Sequence, residues 1–262
     1  MDITKHFINF RKTSQYIYGG ENYIEVYKRV EGNFKTTKTF EDKSIFNLGR
    51  YDIDEIKREC GDVETGIVLN SGYFIFNIFE FDKIPFKEEM RRDLVNWRLQ
   101  KVFPEDIELY EHDFFRIDRK KILSVLFKKS LKEKIETVFD EYGMKVIYMG
   151  NSTVEIINNI RKWKPVPDFF IEIDKEISIV VFSSKSVPFY IRKFRGNKEA
   201  DIAREVVKTV NFVKNSYENV PSTYSIINSD SGSAFDAVRE ELAELNMNEV
   251  KVDVKKKVFL PV

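Results

Sequence analysis

The chain has 262 residues, and its 43 basic and 43 acidic side chains leave a net charge of zero. That balance excludes the broad cationic surface on which a general nucleic-acid binder depends. One cysteine, Cys60, cannot close an intrachain disulfide and fits a reducing compartment.

The length allows one large domain or two compact ones. Aromatic residues make up 14%, with 23 Phe, which is ample for a core. The N-terminus lacks the apolar run of a signal peptide, and no apolar stretch approaches the roughly 20 residues of a membrane helix. A soluble cytoplasmic protein with no membrane span is expected.

In chain order, three strand-like runs come first, at 14–18, 22–30 and 34–41, the last two separated by a Glu31-Gly32-Asn33 turn. A short helix at 52–60 follows, with Asp52 as N-cap and Ile53, Ile56 and Cys60 on one face. Strands are expected at 66–70 and 73–79. Both faces of the second are apolar, because Phe74, Phe76 and Ile78 alternate with Tyr73, Ile75 and Phe79. In the helix at 86–101, Phe86, Met90, Leu94 and Trp97 form one stripe, and Pro104 stops it. That stripe is the expected cover for one face of the preceding strand. A hairpin around Asp118–Lys121, a helix at 130–142 with Ser130 as N-cap and Gly143 as its stop, and a strand at 145–149 close this block.

A helix at 152–162 leads to Lys164-Pro165-Val166-Pro167, where two prolines forbid its continuation. This is the domain boundary, dividing 1–163 from 168–262. Beyond it the opening order recurs, with strands at 168–174, 177–183 and 187–194 and a long helix at 198–217. A strand at 223–228, a helix at 233–246 and a strand at 249–254 complete it. The halves share strand, strand, strand, helix, strand, helix, with a block at about 73–149 inserted into the first. Its order is strand, helix, strand, strand, helix, strand. Mixed sheets covered by helices follow, with a cleft between the halves.

Catalytic groups are scarce. The two histidines are His6, near the N-terminus, and His112, in the alternating strand YEHDFF, where it reads as structural. Cys60 alone gives no zinc spacing and reads as a small apolar residue. No G-x-x-x-x-G-K-[ST] or G-x-G-x-x-G motif occurs. The first turn of the first half, Tyr18-Gly19-Gly20-Glu21-Asn22, has the glycines of a phosphate cradle but no preceding carboxylate. The matching turn of the second half, Glu172 to Glu176, has three acids and no Gly, and reads as a solvated turn. Asn228 to Ser233 is a small-residue loop that can hold an anion or simply cap a helix.

The segments NWRLQKVFPEDIELYEHDFF and KKILSVLFKKSLKEKIETVFDEYGMKVIYM resemble the middle of the type IV pilus assembly protein PilM and of its relative, the cytoplasmic domain of the type II secretion protein GspL. Trp97, Pro104 and Gly143 stand where that family has a helix Trp, a Pro turn and a helix-ending Gly. The resemblance implies an α/β, two-lobed, actin-like (ribonuclease-H-like) fold with the inserted block as an extra subdomain. It also implies a protein at the cytoplasmic face of the inner membrane, held there by partners. Those partners would be the cytoplasmic N-terminal segment of a membrane-anchored PilN-like protein and the assembly ATPase. Family members that bind ATP carry an Asp-x-Gly turn in each half and a Gly-rich adenosine loop. Here Tyr18 takes the first Asp position, Asp174 replaces the second Gly, and one glycine, Gly232, remains in the loop.

The leading expectation is therefore a non-catalytic scaffold with no cofactor, gripping a partner peptide near Phe74, Phe76, Ile78 and Trp97. The alternative is a nucleotide switch binding Mg-ATP through what remains at Gly19, Gly20, Glu172, Asp174, Ser178 and Gly232. A metal-dependent nuclease using Glu172 and Asp174 is a third, weaker idea. The chain ends at Phe259-Leu260-Pro261-Val262, where the family usually adds a helix returning to the first lobe.

Overall fold

A computed structural model describes residues 14–31, 33–61, 64–103, 107–159, 166–173, 177–184, 187–196, 198–217, 221–228 and 232–251. His6, Gly32, Pro104, Ile160 to Pro165, Asp174 to Glu176, Ser229 to Ser231 and the chain end therefore lie outside the described residues.

Alternation of side chains builds the first sheet. In β1 (Gln15–Gly19), Ile17 faces one buried cluster while Tyr16 and Tyr18 face another. In β2 (Tyr23–Val30), Ile24 and Val26 take the first side, and Tyr23 and Tyr27 the second. β3 (Asn33–Glu41) completes an antiparallel run, α1 (Arg50–Cys60) crosses over, and β4 (Thr65–Leu69) returns parallel to β1.

Next come β5 (Phe74–Glu80), α2 (Glu88–Val102), β6 (Tyr110–Arg116), β7 (Lys121–Lys128), α3 (Lys129–Glu141), β8 (Val146–Asn151) and α4 (Ser152–Asn159). The second half holds β9 (Phe169–Ile173), β10 (Ile177–Ser184), β11 (Val187–Arg195), α5 (Glu199–Ser216), β12 (Thr223–Asn228), α6 (Gly232–Glu244) and the short β13 (Asn248–Glu249).

The two five-stranded sheets have the same order, β3-β2-β1-β4-β8 and β11-β10-β9-β12-β13. In each, three antiparallel strands are followed by two parallel ones. The duplication is closer than the expected order of elements. α3 and β8 correspond to α6 and β13, so the last helix and strand of the 73–149 block belong to the first sheet. Only β5, α2, β6 and β7 form a separate three-stranded unit, ordered β5-β7-β6. The cause lies in α3, whose Ile135 and Phe139 are fully buried in the first lobe's core.

Helix ends differ from expectation where backbone rather than side chains caps them. The cap of α1 is Gly49, and Asp52 sits one turn inside, its Oδ2 accepting from Gly49 N at 3.0 Å and from Lys43 Nζ at 3.1 Å. α3 is capped by Lys128 without a side-chain bond, so Ser130 is not its cap. Gly143 does stop α3. Its φ of +68° suits glycine, and its N–H meets Asp140 O at 2.9 Å.

The covering of the inserted sheet also departs from the expected stripe. One face, including Phe74, Phe76 and Ile78, packs on the first lobe's core, with Phe74 stacked on Phe127 at 4.7 Å. The opposite face, with Ile75 and Phe79, is covered by α2 through Val95 and Leu99. Phe86, Met90 and Trp97 are left facing solvent. Among the described residues no helix is long and apolar enough to cross a membrane.

Candidate functional site

The lobes meet along a polar seam. β9 turns Phe169, Ile171 and Ile173 towards α5 and α6, and Phe170 and Glu172 towards the first lobe. Glu172 is only 5% exposed, and a buried carboxylate is stable only when its oxygens accept hydrogen bonds. Tyr18 OH donates to Oε1 at 3.2 Å, and Ser71 Oγ and Thr153 Oγ1 donate to Oε2 at 2.9 and 3.3 Å. Ser71 Oγ accepts Thr153 N at 3.1 Å and lies 2.8 Å from Ser152 Oγ. With Ser71 donating to the carboxylate, its second accepted bond comes from the hydroxyl of Ser152 at 2.8 Å or of Thr153 at 2.6 Å. Asn151 Oδ1 accepts Val154 N at 3.1 Å and caps α4, which fixes Ser152 and Thr153 at the seam. Two further carboxylates are buried on the tyrosine-rich face: Glu155 accepts from Tyr148 OH, and Glu25 from Tyr27 OH at 2.7 Å.

The first turn is closed in a comparable way. Gly20 N donates to Tyr23 O at 2.9 Å, and Gly20 O accepts Tyr73 OH at 3.1 Å. A Cβ on Gly20 would come within 2.1 Å of the Tyr23 ring. Glycine here makes room for the ring, and its amide bonds within its own turn. Gly19 is similarly confined, its ideal Cβ 3.1 Å from Leu69 Cδ2. Of the other sequence candidates, Ser178 pairs with Ile173 in the second sheet and Gly232 opens α6. Asp174 lies outside the described residues. Among the described residues no group of three or more His, Cys, Asp or Glu is placed to hold a metal ion.

Lys193 joins the second lobe to the inserted unit. Its Nζ donates to Gly72 O at 2.7 Å and Phe74 O at 2.6 Å. It lines a cavity of about 300 Å³ with Phe74, Ile75, Phe76 and Ile191, at the small end of the range for ligand pockets. Both flanking strands, β5 and β11, are sheet edges. The structure thus brings Phe74 and Phe76 to a groove. It keeps Ile78 further along the same strand, in the first core, and puts Trp97 on the outward side of α2.

Burial, aided by Arg195 and opposed by Glu172 and Glu21, pushes the Lys193 pKa down to about 8 from 10.5. The unfolded chain keeps that proton to about pH 10.5 while the folded chain releases it near 8. Stability from this group therefore rises with pH between those values. Chemical denaturation at pH 7 and 9.5 is expected to show wild type gaining on Lys193→Met. A constant difference between the two proteins contradicts the assignment.

Burial also shifts Cys60 and His112. Burial pushes the Cys60 thiol up to about 12. Burial, then Arg92 and Lys129, hold His112 below its ordinary value against Asp113, so it is neutral at pH 7.

No family model and no curated protein sequence matches the chain. Solved structures do. A Bacteroides thetaiotaomicron protein with an actin-like ATPase fold and unknown function superposes with a TM-score of 0.59 at 9% identity, over 94% of each chain. The fold is actin-like. The PilM–PilN type IV pilus biogenesis complex gives 0.67 at 11% identity, over 91% of this chain and 88% of that one. The cytoplasmic domain of EpsL, an inner-membrane component of the Vibrio cholerae type II secretion system, gives 0.58 at 11% identity, over 94% of this chain and 100% of that one. These are the two kinds of protein that the sequence resembles, and at such identities the likeness is one of actin-like architecture.

Proposed function

We propose that this chain is a non-catalytic actin-like scaffold of a type IV pilus or type II secretion platform. It would work at the cytoplasmic face of the inner membrane, between a membrane-anchored PilN-like protein and the assembly ATPase. The observation that carries the non-catalytic part is the seam, where an actin-like ATPase would hold phosphate. Here the Glu172 carboxylate is satisfied by hydroxyls of the opposite lobe, and the Gly20 amide is used inside its own turn. A triphosphate would have to displace these bonds and approach a buried anion.

For the partner, the support is the likeness to the chain of a PilM–PilN complex and the apolar groove between two strand edges. An extended peptide suits such a groove, main chain against the edges and alternate side chains in the cavity. The test is a pull-down and affinity measurement with the cytoplasmic tail of a membrane protein encoded beside this gene. Phe76→Asp and Ile191→Asp are expected to weaken binding at least tenfold, while Trp97→Ser leaves it unchanged. Equal binding by all three variants removes the groove from the reading. Millimolar Mg-ATP is expected to leave Tm unmoved, whereas a clear rise favours a nucleotide switch.

A further inference from the structure

α2 turns its apolar stripe away from the protein. Trp97 is two residues from both Val95 and Leu99, a rotation of about 200° each way, and Met90 is half a turn out of phase with Leu99. Since Val95 and Leu99 are the buried anchors, Met90 and Trp97 project outward, at 54% and 49% exposure. Phe86, just before the helix, is 88% exposed. On one flank stand Lys87, Arg98 and Lys101, all exposed, with Lys101 Nζ 3.7 Å from the Trp97 ring centroid. Glu89 and Asp93 occupy the other flank. Arg92 is engaged elsewhere, paired with Glu88 at 3.5 Å and lying over the Phe114 ring.

We propose that this ridge docks directly on an anionic phospholipid surface. Phe86, Met90 and Trp97 enter the headgroup boundary, and Lys87, Arg98 and Lys101 meet lipid phosphates. A Trp/Phe/Met edge with cations alongside matches the chemistry of an interfacial helix. The cations on one flank are complementary to anionic headgroups, which favours a lipid surface over a neutral protein face. The helix rolls towards its basic flank, which keeps Glu89 and Asp93 in water. The contact is peripheral, and it needs no partner protein.

The test is flotation of the full chain with vesicles of phosphatidylglycerol and phosphatidylethanolamine, against vesicles of phosphatidylcholine alone. At least tenfold more protein should float with the anionic vesicles at low salt, and 0.5 M NaCl should remove most of the difference. In a Trp163→Phe background, Trp97 fluorescence should shift to the blue on binding. Phe86→Ser/Met90→Ser/Trp97→Ser and Lys87→Glu/Arg98→Glu/Lys101→Glu should each abolish flotation; all the changed side chains are exposed, so both variants should keep the wild-type Tm within a few degrees. No flotation, or flotation unchanged in either variant, overturns the proposal. So does self-association, or capture of a protein partner, that depends on the same residues without vesicle binding.

Discussion

Glu172→Ala is expected to destabilise the protein by about 3 kcal/mol, because it leaves hydroxyl donors from Tyr18, Ser71 and Thr153 buried without their shared acceptor. In a chain of this length that is a fall in Tm of roughly 6–10 °C. Glu172→Gln keeps the shape and one strong acceptor, and the Ser71 and Thr153 hydroxyls can turn to accept from its amide. Its cost should be closer to 1 kcal/mol. Urea denaturation of both variants measures the difference. If Glu172→Ala matches wild type within about 0.5 kcal/mol, the lobes are not joined through this carboxylate. The experiment also bears on function. A seam held shut by its own hydroxyls resists being wedged open by a ligand, so Ser71→Ala combined with Thr153→Val should loosen the lobes without creating an ATP site.

Gly20→Ala carries the second large effect. The added methyl would overlap a Tyr23 ring that is almost fully buried. A cost of about 2–3 kcal/mol is expected without any ligand present. In a Tyr23→Ala background the same change should cost much less, and the coupling in that double-mutant cycle is the decisive quantity. A glycine kept for phosphate would behave differently. Its replacement would be nearly neutral in the free protein and damaging only to nucleotide binding. Stability unaffected by Gly20→Ala would therefore revive the nucleotide reading.

Much of the fold was legible because local rules and tertiary needs agree. The alternation in β1 and β2, the Gly143 stop and the pattern of the second half as far as α6 placed elements within a few residues of their observed bounds, while the strand expected at 249–254 is seen at Asn248–Glu249 among the described residues. The α2 stripe was misread because two faces of that helix carry apolar residues at helical spacing. Val95 and Leu99 with Phe103 form a second stripe, and periodicity alone does not say which one meets the sheet. β8 was grouped with the insert because nothing in VIYMGN distinguishes an inserted strand from a fifth strand of the first sheet.

The seam was hidden for a different reason. Tyr18, Ser71, Thr153 and Glu172 come from four separated stretches, and only folding brings them together. One signal was present. Glu172 interrupts the apolar run FFIEI, and a lone carboxylate in a strand buried on both faces must find donors across the sheet. The reading of that turn as solvated fails at Glu172, which is buried, and Asp174 to Glu176 lie outside the described residues.

The tyrosine face of the first sheet gives the protein a built-in optical probe. Burial, with Glu155 nearby, keeps the Tyr16 and Tyr148 phenols protonated well above their usual range. An alkaline titration followed by ultraviolet absorbance would therefore separate them from surface phenols. Their near-ultraviolet circular dichroism would report any parting of the two halves, label-free, in the presence of whatever binds there.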